Sequence, residues 1–207
     1  MGTVGIVDIG CGNVNSVVRA VQKKGCEVVL CESPQKLAHQ ERIIFPGVGS
    51  FFTASQRLHQ GGWIEAVREE VLGKQKPILG ICLGMQLLAS EGEEGGWSQG
   101  LGLIKAKVSK HRAQKHSILL PHMGWNDVAH QGGILFDNIP SGECFYFVHS
   151  YEMVIEEVEV RQAICHYGVD FVAAFEKQHI FGTQFHPEKS QMMGLAVLDN
   201  FLRFQPC

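Results

Sequence analysis

No stretch of this 207-residue chain stays apolar for the roughly 18 residues needed to cross a bilayer. The N-terminal MGTVGIVDIG lacks the positive n-region and the small-residue cleavage site of a signal peptide, and reads as a first β-strand. Basic charge is neither abundant nor clustered: 18 Lys and Arg against 21 Asp and Glu give a net charge of −3, which argues against a nucleic-acid partner. The seven cysteines are odd in number and irregularly spaced, with no C-x-x-C pair. That pattern suits a reducing cytoplasm better than a disulfide framework or a structural zinc site. H-x-x-x-H spacing is missing as well, so no metal site is expected. Repeats, low-complexity tracts and a clear linker are also lacking. What remains is one domain over residues 1–207, with 45% hydrophobic residues to build its core.

The first half alternates short apolar runs with helical patterns. TVGIVDI (3–9), CEVVLC (26–31), RIIF (42–45) and PILGIC (77–82) read as buried strands. Residues 14–24, with apolar Val14, Val17, Val18 and Val21, read as a helix, and so do residues 51–72, interrupted at Gly61-Gly62. Strands of this kind separated by helices predict βαβ units. After Glu91 the segments 101–109, 126–130, 144–155, 161–167, 170–176 and 179–185 are strand-like with few helices between them. Residues 190–204 carry apolar side chains at helical spacing, and 91–96 and 111–116 read as surface loops. The expected fold is α/β: an open, mostly parallel sheet flanked by helices, with an antiparallel extension.

Chemistry concentrates in three places. In GICLGMQLL (80–88), Cys82 stands between Gly80 and Gly84 where a strand passes into a helix over 83–89. This is the arrangement of a nucleophile elbow, with cysteine in place of serine. A helix N-terminus also favours the thiolate. On this motif alone a small buried thiol is the commoner outcome. In GTQFHPEKS (182–190), His186 and Glu188 are two residues apart around a stiffening Pro187, so an extended chain points both the same way. A carboxylate beside a histidine can orient the ring and stabilise its charged form, although Pro187 and Glu188 also suit the start of a helix. In PGVGSF (46–51), glycines around Val48 can turn backbone amides into a cleft, as an oxyanion site requires. Both this turn and Cys82 follow strands, and in an open parallel sheet such turns share one crevice.

Together these stretches resemble the class I (triad) glutamine amidotransferases. With PHMGWN (121–126), FVHSYE (147–152) and the early GCGNVNS (10–16), they look like the glutaminase subunits of imidazole glycerol phosphate synthase. The resemblance implies Cys82 as nucleophile, His186 as general base and acid, and Glu188 as its orienting carboxylate. It implies oxyanion donors at Leu83 and in the Gly47-Val48-Gly49 strand, with a rearrangement of that strand before it donates. It places Gly49, Gln86, Glu94, Ser150 and Tyr151 around the bound L-glutamine. It turns Asn13, His122, Met123, Trp125 and Asn126 towards a partner, a (β/α)8-barrel cyclase that forms a heterodimer with the glutaminase and takes up its ammonia. No cofactor is implied. Glu152 departs from the family, where an aromatic residue is more usual, and so does Cys11, at a position that varies.

Other readings compete. VDIGCGNVN opens a helix and Glu32 follows Gly12 by 20 residues, as in a dinucleotide-binding turn, but Asn15 stands where the third glycine belongs. A non-catalytic copy of the fold would not be expected to keep Cys82, His186 and Glu188 together. A metal site at Cys82, His186 and His122 or His149 lacks ligand spacing, and His149 reads as a hydrogen-bonded core histidine. A related glutaminase serving amidination in a surface-sugar pathway carries the same motifs, because the acceptor binds to the partner.

Overall fold

In the computed structural model, which describes every residue except Met1, Asn13, Ser117 and Cys207, the runs of the first half become β1 (Thr3–Val7), β2 (Glu27–Cys31), β3 (Arg42–Gly47) and β4 (Ile78–Cys82). Between and after them lie α1 (Asn15–Gln22), α2 (Phe51–Gln60), α3 (Trp63–Arg68) and α4 (Leu83–Leu87). Asn13, one of the expected partner-facing residues, lies outside the described residues. Gly61 and Gly62 separate α2 from α3 as expected. Gly62 takes a φ of 66°, and the last turn, Glu69–Gly73, widens into a π turn.

The second half supplies β5 (Glu91–Gly92), β6 (Ser98–Gln99), β7 (Ala106–Lys110), β8 (His122–Ala129), β9 (Glu143–His149) and β10 (Tyr151–Ile155). The chain continues through β11 (Arg161–His166), β12 (Asp170–Lys177) and β13 (Ile180–Thr183), and ends in α5 (Gln191–Arg203). Nine strands form one sheet in the order β2-β1-β3-β4-β13-β12-β11-β8-β9. From β2 to β13 neighbours run parallel, and from β13 to β9 they alternate. The parallel sheet with an antiparallel extension is therefore present. A smaller sheet, β10-β7-β5-β6, is separate from it.

Alternate side chains divide the core between the two faces of the large sheet, as the pleat requires. Ile44, Leu79 and Ile81 pack with Val17 and Val21 of α1 and with Val197, Leu198 and Phe201 of α5. Ile43, Phe45 and Ile78 pack with α2, α3, α4 and the small sheet. Pairing β3 with β4 sets Gly47 opposite Cys82, and pairing β13 with β4 sets Thr183 opposite Ile81. Register thus delivers the PGVG turn, Cys82 and the TQFHPE segment to the same end of the parallel strands.

Four expectations are corrected. Residues 101–104 are not a strand: the amides of Leu101, Leu103 and Ile104 donate to the carbonyls of Leu87 and Leu88, because this apolar run buries itself against the end of α4. The stretch 144–155 is two strands in different sheets, broken at Ser150, whose carbonyl accepts from the His111 amide at 2.9 Å. The expected surface loop 111–116 contains a 3₁₀ turn, with His111 and Ala113 buried beneath it. The loop 91–96 likewise contributes β5. No helix among the described residues is long and apolar enough to cross a membrane.

Candidate active site

The turn from β4 into α4 is an elbow, and its strain sits on Cys82. Cys82 has φ 55° and ψ −113°, an unfavourable conformation for any residue with a Cβ. Gly80 and Gly84 on either side do not themselves supply the turn. Neither has a positive φ; they let α4 press against the sheet. A Cβ on Gly80 would lie 2.6 Å from Met85 Cα, and one on Gly84 would fall on the Phe45 carbonyl oxygen.

Cys82 is 5% exposed, with the Val148 carbonyl and the Gln184 side-chain nitrogen each 3.7 Å from its sulfur. It borders a cavity of about 170 Å³ that is also lined by Val48, Gly49, Leu83, Gln86, Glu94, Ser150 and Tyr151. The residues expected to bind substrate, with Val48, Gly49 and Leu83 of the expected oxyanion site, therefore meet Cys82 in one space. Within it, Gln86 donates Nε2 to the Tyr151 carbonyl at 3.0 Å and to Gln184 Oε1 at 2.9 Å. Glu94 accepts the Phe51 amide at 2.8 Å, and burial pushes its carboxyl pKa up. The Val48 amide donates to the Cys11 carbonyl at 3.4 Å, which ties the PGVG strand to the first loop.

His186 and Glu188 line an adjoining cavity of about 150 Å³ with Cys11, Gly47, Val48 and Lys189. His186 is extended (φ −95°, ψ 97°), and Pro187–Lys189 closes a 3₁₀ turn that brings Glu188 back onto the ring. The pair meets through that turn, and not along one face of a strand. Glu188 Oε1 lies 2.9 Å from His186 Nδ1, and both side chains are at most 4% exposed. Ser190 fixes the backbone here: its hydroxyl donates to the His186 carbonyl at 2.7 Å and accepts the Tyr146 amide at 2.9 Å. Burial pulls the His186 pKa down, but interactions with Cys82 and Glu188 outweigh it and raise the ring to about 9. The imidazole is thus poised as a proton donor beside the sulfur. Its Nε2 is buried outside hydrogen-bond geometry with any described group, a contact that can tighten in the reacting complex.

The expected partner-facing residues separate. Met123 (63% exposed) and Trp125 (45%) present side chains to solvent from β8, while His122, at 1%, points inward. His149 Nδ1 meets the Tyr151 carbonyl at 2.9 Å, so Nδ1 carries the proton and Nε2 accepts. His122 Nδ1 donates to that Nε2 at 3.0 Å, and Asn126 Nδ2 donates to His122 Nε2 at 3.1 Å. This line of hydrogen bonds, which the sequence did not reveal, runs from β8 to the wall of the cavity. Burial holds His149 near 3 and, with His111 beside it, His122 near 4; burial lowers His111 too. Between a pH of about 6.5 and 4.5, His149 and His122 take protons in the unfolded chain but largely not in the folded one. Their contribution to stability is therefore complete above about pH 6.5 and falls as pH drops towards 4.5. Thermal unfolding followed from pH 7 to 4.5 tests this, and a midpoint constant over that range would contradict it.

Among the described residues no group of three or more His, Cys, Asp or Glu could hold a metal ion. The glutamine amidotransferase class-I family model matches residues 5–204. The chain is 44% identical over 201 residues to imidazole glycerol phosphate synthase subunit HisH 1 of Campylobacter jejuni strain RM1221, covering 97% of this chain and 99% of the relative. It is 44% identical over 202 residues to subunit HisH of Moorella thermoacetica, covering 97% and 94%. Two solved structures share the fold at lower identity. One, a glutamine amidotransferase, has TM-score 0.74 and 18% identity over 96% of each chain. The other, PurLQS from Thermotoga maritima, has TM-score 0.73 and 17% identity over 98% of each. A cysteine elbow, a histidine oriented by glutamate and this extent of sequence identity place the chain in the class I glutamine amidotransferases, among the HisH glutaminase subunits of imidazole glycerol phosphate synthase.

Proposed function

We propose that Cys82, His186 and Glu188 hydrolyse L-glutamine and that the ammonia passes to a (β/α)8-barrel cyclase bound over β8, for the making of imidazole glycerol phosphate and AICAR. The observation that carries this reading is the His186 ring oriented by Glu188 and raised in pKa by Glu188 and Cys82 together, beside a cavity that Cys82 shares with the expected substrate residues. The Cys82 thiolate attacks the side-chain amide carbon. The Leu83 amide and one from the Gly47–Gly49 strand hold the oxyanion, and protonated His186 gives its proton to the departing ammonia. A γ-glutamyl thioester remains on Cys82. His186, now neutral, takes a proton from water, the hydroxide attacks the thioester carbon, and glutamate leaves. The Glu188 carboxylate keeps the imidazolium favourable throughout. Gln86, with both Nε2 hydrogens engaged, offers only its oxygen to the cavity, which suits the substrate's α-ammonium group.

The engagement of the Val48 amide by Cys11 supports a resting state with an incomplete oxyanion site. Removing one such donor typically costs about a hundred- to a thousand-fold in rate. The isolated chain is therefore expected to turn over glutamine slowly. The cyclase with its nucleotide substrate is expected to speed it by a factor of about that size as the strand reorients. Trp125 and Met123 serve as apolar anchors for the partner, since exposed aromatic side chains dominate such contacts. Glutaminase assays of the chain alone, with cyclase, and with cyclase plus nucleotide test the proposal. Full activity in the chain alone would contradict the switch, and no activity in any arm would contradict the function.

A further inference from the structure

Gln184 has no part in the triad, yet it touches the reacting atom. It follows β13 directly, is fully buried, and anchors its backbone by donating its amide to the Ala173 carbonyl at 2.7 Å. A side-chain amide in such a place must satisfy both its ends. Its oxygen accepts from Gln86 Nε2 at 2.9 Å, and its nitrogen lies 3.7 Å from Cys82 Sγ.

The direction of this amide follows from the network itself. The Tyr151 carbonyl can only accept, and it sits 3.0 Å from the Gln86 side chain, so Gln86 must turn its nitrogen there. The same nitrogen has one hydrogen left, and it faces Gln184 2.9 Å away, so Gln184 must present its oxygen to Gln86. Turning Gln184 over would set two donors against each other. Turning both would set the Gln86 oxygen against a carbonyl. The Gln184 nitrogen is therefore left to the sulfur. On another side of Cys82 the Val148 carbonyl, at 3.7 Å, accepts only, and so favours the neutral S–H.

We propose that Gln184 is a further catalytic residue, donating an N–H to the Cys82 sulfur and so favouring the thiolate, with Gln86 and the Tyr151 carbonyl fixing its direction. A donor to the charged form lowers the pKa of a thiol, whereas the Val148 acceptor opposes ionisation. Gln86 is then a positioning residue as well as a wall of the substrate cavity. The inference rests on Cys82 being the nucleophile of glutamine hydrolysis.

The test is the pH dependence of iodoacetamide alkylation at Cys82 in the full chain bound to its cyclase, read by mass spectrometry of the Cys82 peptide. Other ionisable groups around the sulfur or the two cavities are His186 with Glu188 behind it, Lys189, His149, Tyr151, Glu94 and Cys11. None of these is altered. In Gln184→Met the apparent pKa of alkylation is expected to rise by about one pH unit. Alkylation at pH 7 slows about tenfold, and kcat for glutamine falls while KM changes little. Exposed Cys144 is the internal control and keeps its wild-type rate. Gln184→Glu, which retains size and an acceptor for Gln86, covers the case in which the methionine variant does not fold. A carboxylate facing the sulfur is expected to shift the profile in the same direction and further. Gln86→Met combined with Gln184→Met is expected to be less than additive, because the two amides act as one unit. An unchanged Cys82 profile in a folded Gln184 variant overturns the role of Gln184 while leaving the glutaminase reading intact. A wild-type complex that does not hydrolyse glutamine overturns that reading instead.

Discussion

Cys82→Ala is expected to lower glutamine hydrolysis by the cyclase-bound chain by at least about 10⁴-fold, measured as glutamate released under saturating nucleotide. Loss of the thioester route leaves only the cavity and its donors, which retain a small residual rate. The same position carries a stability signature that ordinary nucleophile loss would not. With φ at 55°, Cys82 holds a conformation that disfavours a Cβ, so its backbone stores strain. Cys82→Gly relieves that strain and Cys82→Ala does not, although both remove the thiol. The glycine variant is therefore expected to be the more stable of the two by about 1 kcal/mol in urea unfolding. In a helix interior the order would be reversed. Equal hydrolysis in Cys82→Ala and wild type would end the mechanism, and an alanine variant more stable than the glycine one would end the claim of strain.

Gly84→Ala is expected to do the greatest damage to the fold. Helix propensity alone would favour alanine in α4 by about 1 kcal/mol. Here the added methyl would fall on the Phe45 carbonyl oxygen, a backbone atom in the middle of β3 that cannot turn aside. Either α4 lifts from the sheet or β3 loses its register with β4. Both movements open a core in which Phe45, Leu83 and Met85 are almost fully buried. Overpacking commonly costs about 1–3 kcal/mol, and a clash with main chain belongs above that, at about 4 kcal/mol or more. Against the roughly 5–15 kcal/mol stability of an ordinary domain, this takes a large part of the total. Urea unfolding of Gly84→Ala beside wild type measures it. A variant as stable as wild type would mean that α4 does not press on β3 as described. Because α4 carries Leu83 and Gln86, any variant that survives folding is expected to lose activity too.

The sequence made the parallel half of the fold legible because strands buried on both faces are continuous β-branched runs, and the runs over 3–9, 26–31, 42–45 and 77–82 have that character. It misled where a run's hydrophobicity said that it was buried but not on what. Residues 101–104 cover the end of α4, and residues 144–155 change sheets at Ser150, without any break in their pattern. The three motifs of the site were visible as glycine, cysteine and histidine at particular spacings. What brings them together, the Gly47–Cys82 and Ile81–Thr183 pairings, is register between distant strands and leaves no local mark. The elbow also shows the limit of spacing arguments, since the glycines flank it for packing and the cysteine itself takes the strained conformation. His149 was legible as a hydrogen-bonded core histidine, and its buried ring does meet the Tyr151 carbonyl; its partners His122 and Asn126, and Gln184, were not, because buried polar side chains keep no periodicity. One clue was available. A glutamine in the apolar run HIFGTQF must find partners inside the protein, and its partners prove to be Gln86 and Cys82.

The pH behaviour of the site has two directions. His186, raised to about 9, contributes stability in full below about pH 6.5 and loses it as pH climbs towards 9. The deprotonated ring can no longer supply the ammonia proton, so kcat/KM is expected to fall on the same alkaline limb. The buried rings of His149 and His122 act at the opposite end, and together the two effects place maximal stability near neutrality.

The central claim, that Cys82 is the atom to which the glutamyl group transfers, is tested most directly by acid-quenching the cyclase-bound enzyme during turnover of L-glutamine and mapping the adduct by peptide mass spectrometry. A γ-glutamyl group on the peptide containing Cys82, and its loss in Cys82→Ser, is the predicted result. A quenched enzyme that turned over glutamine with that peptide unmodified and the adduct on another residue would contradict the account.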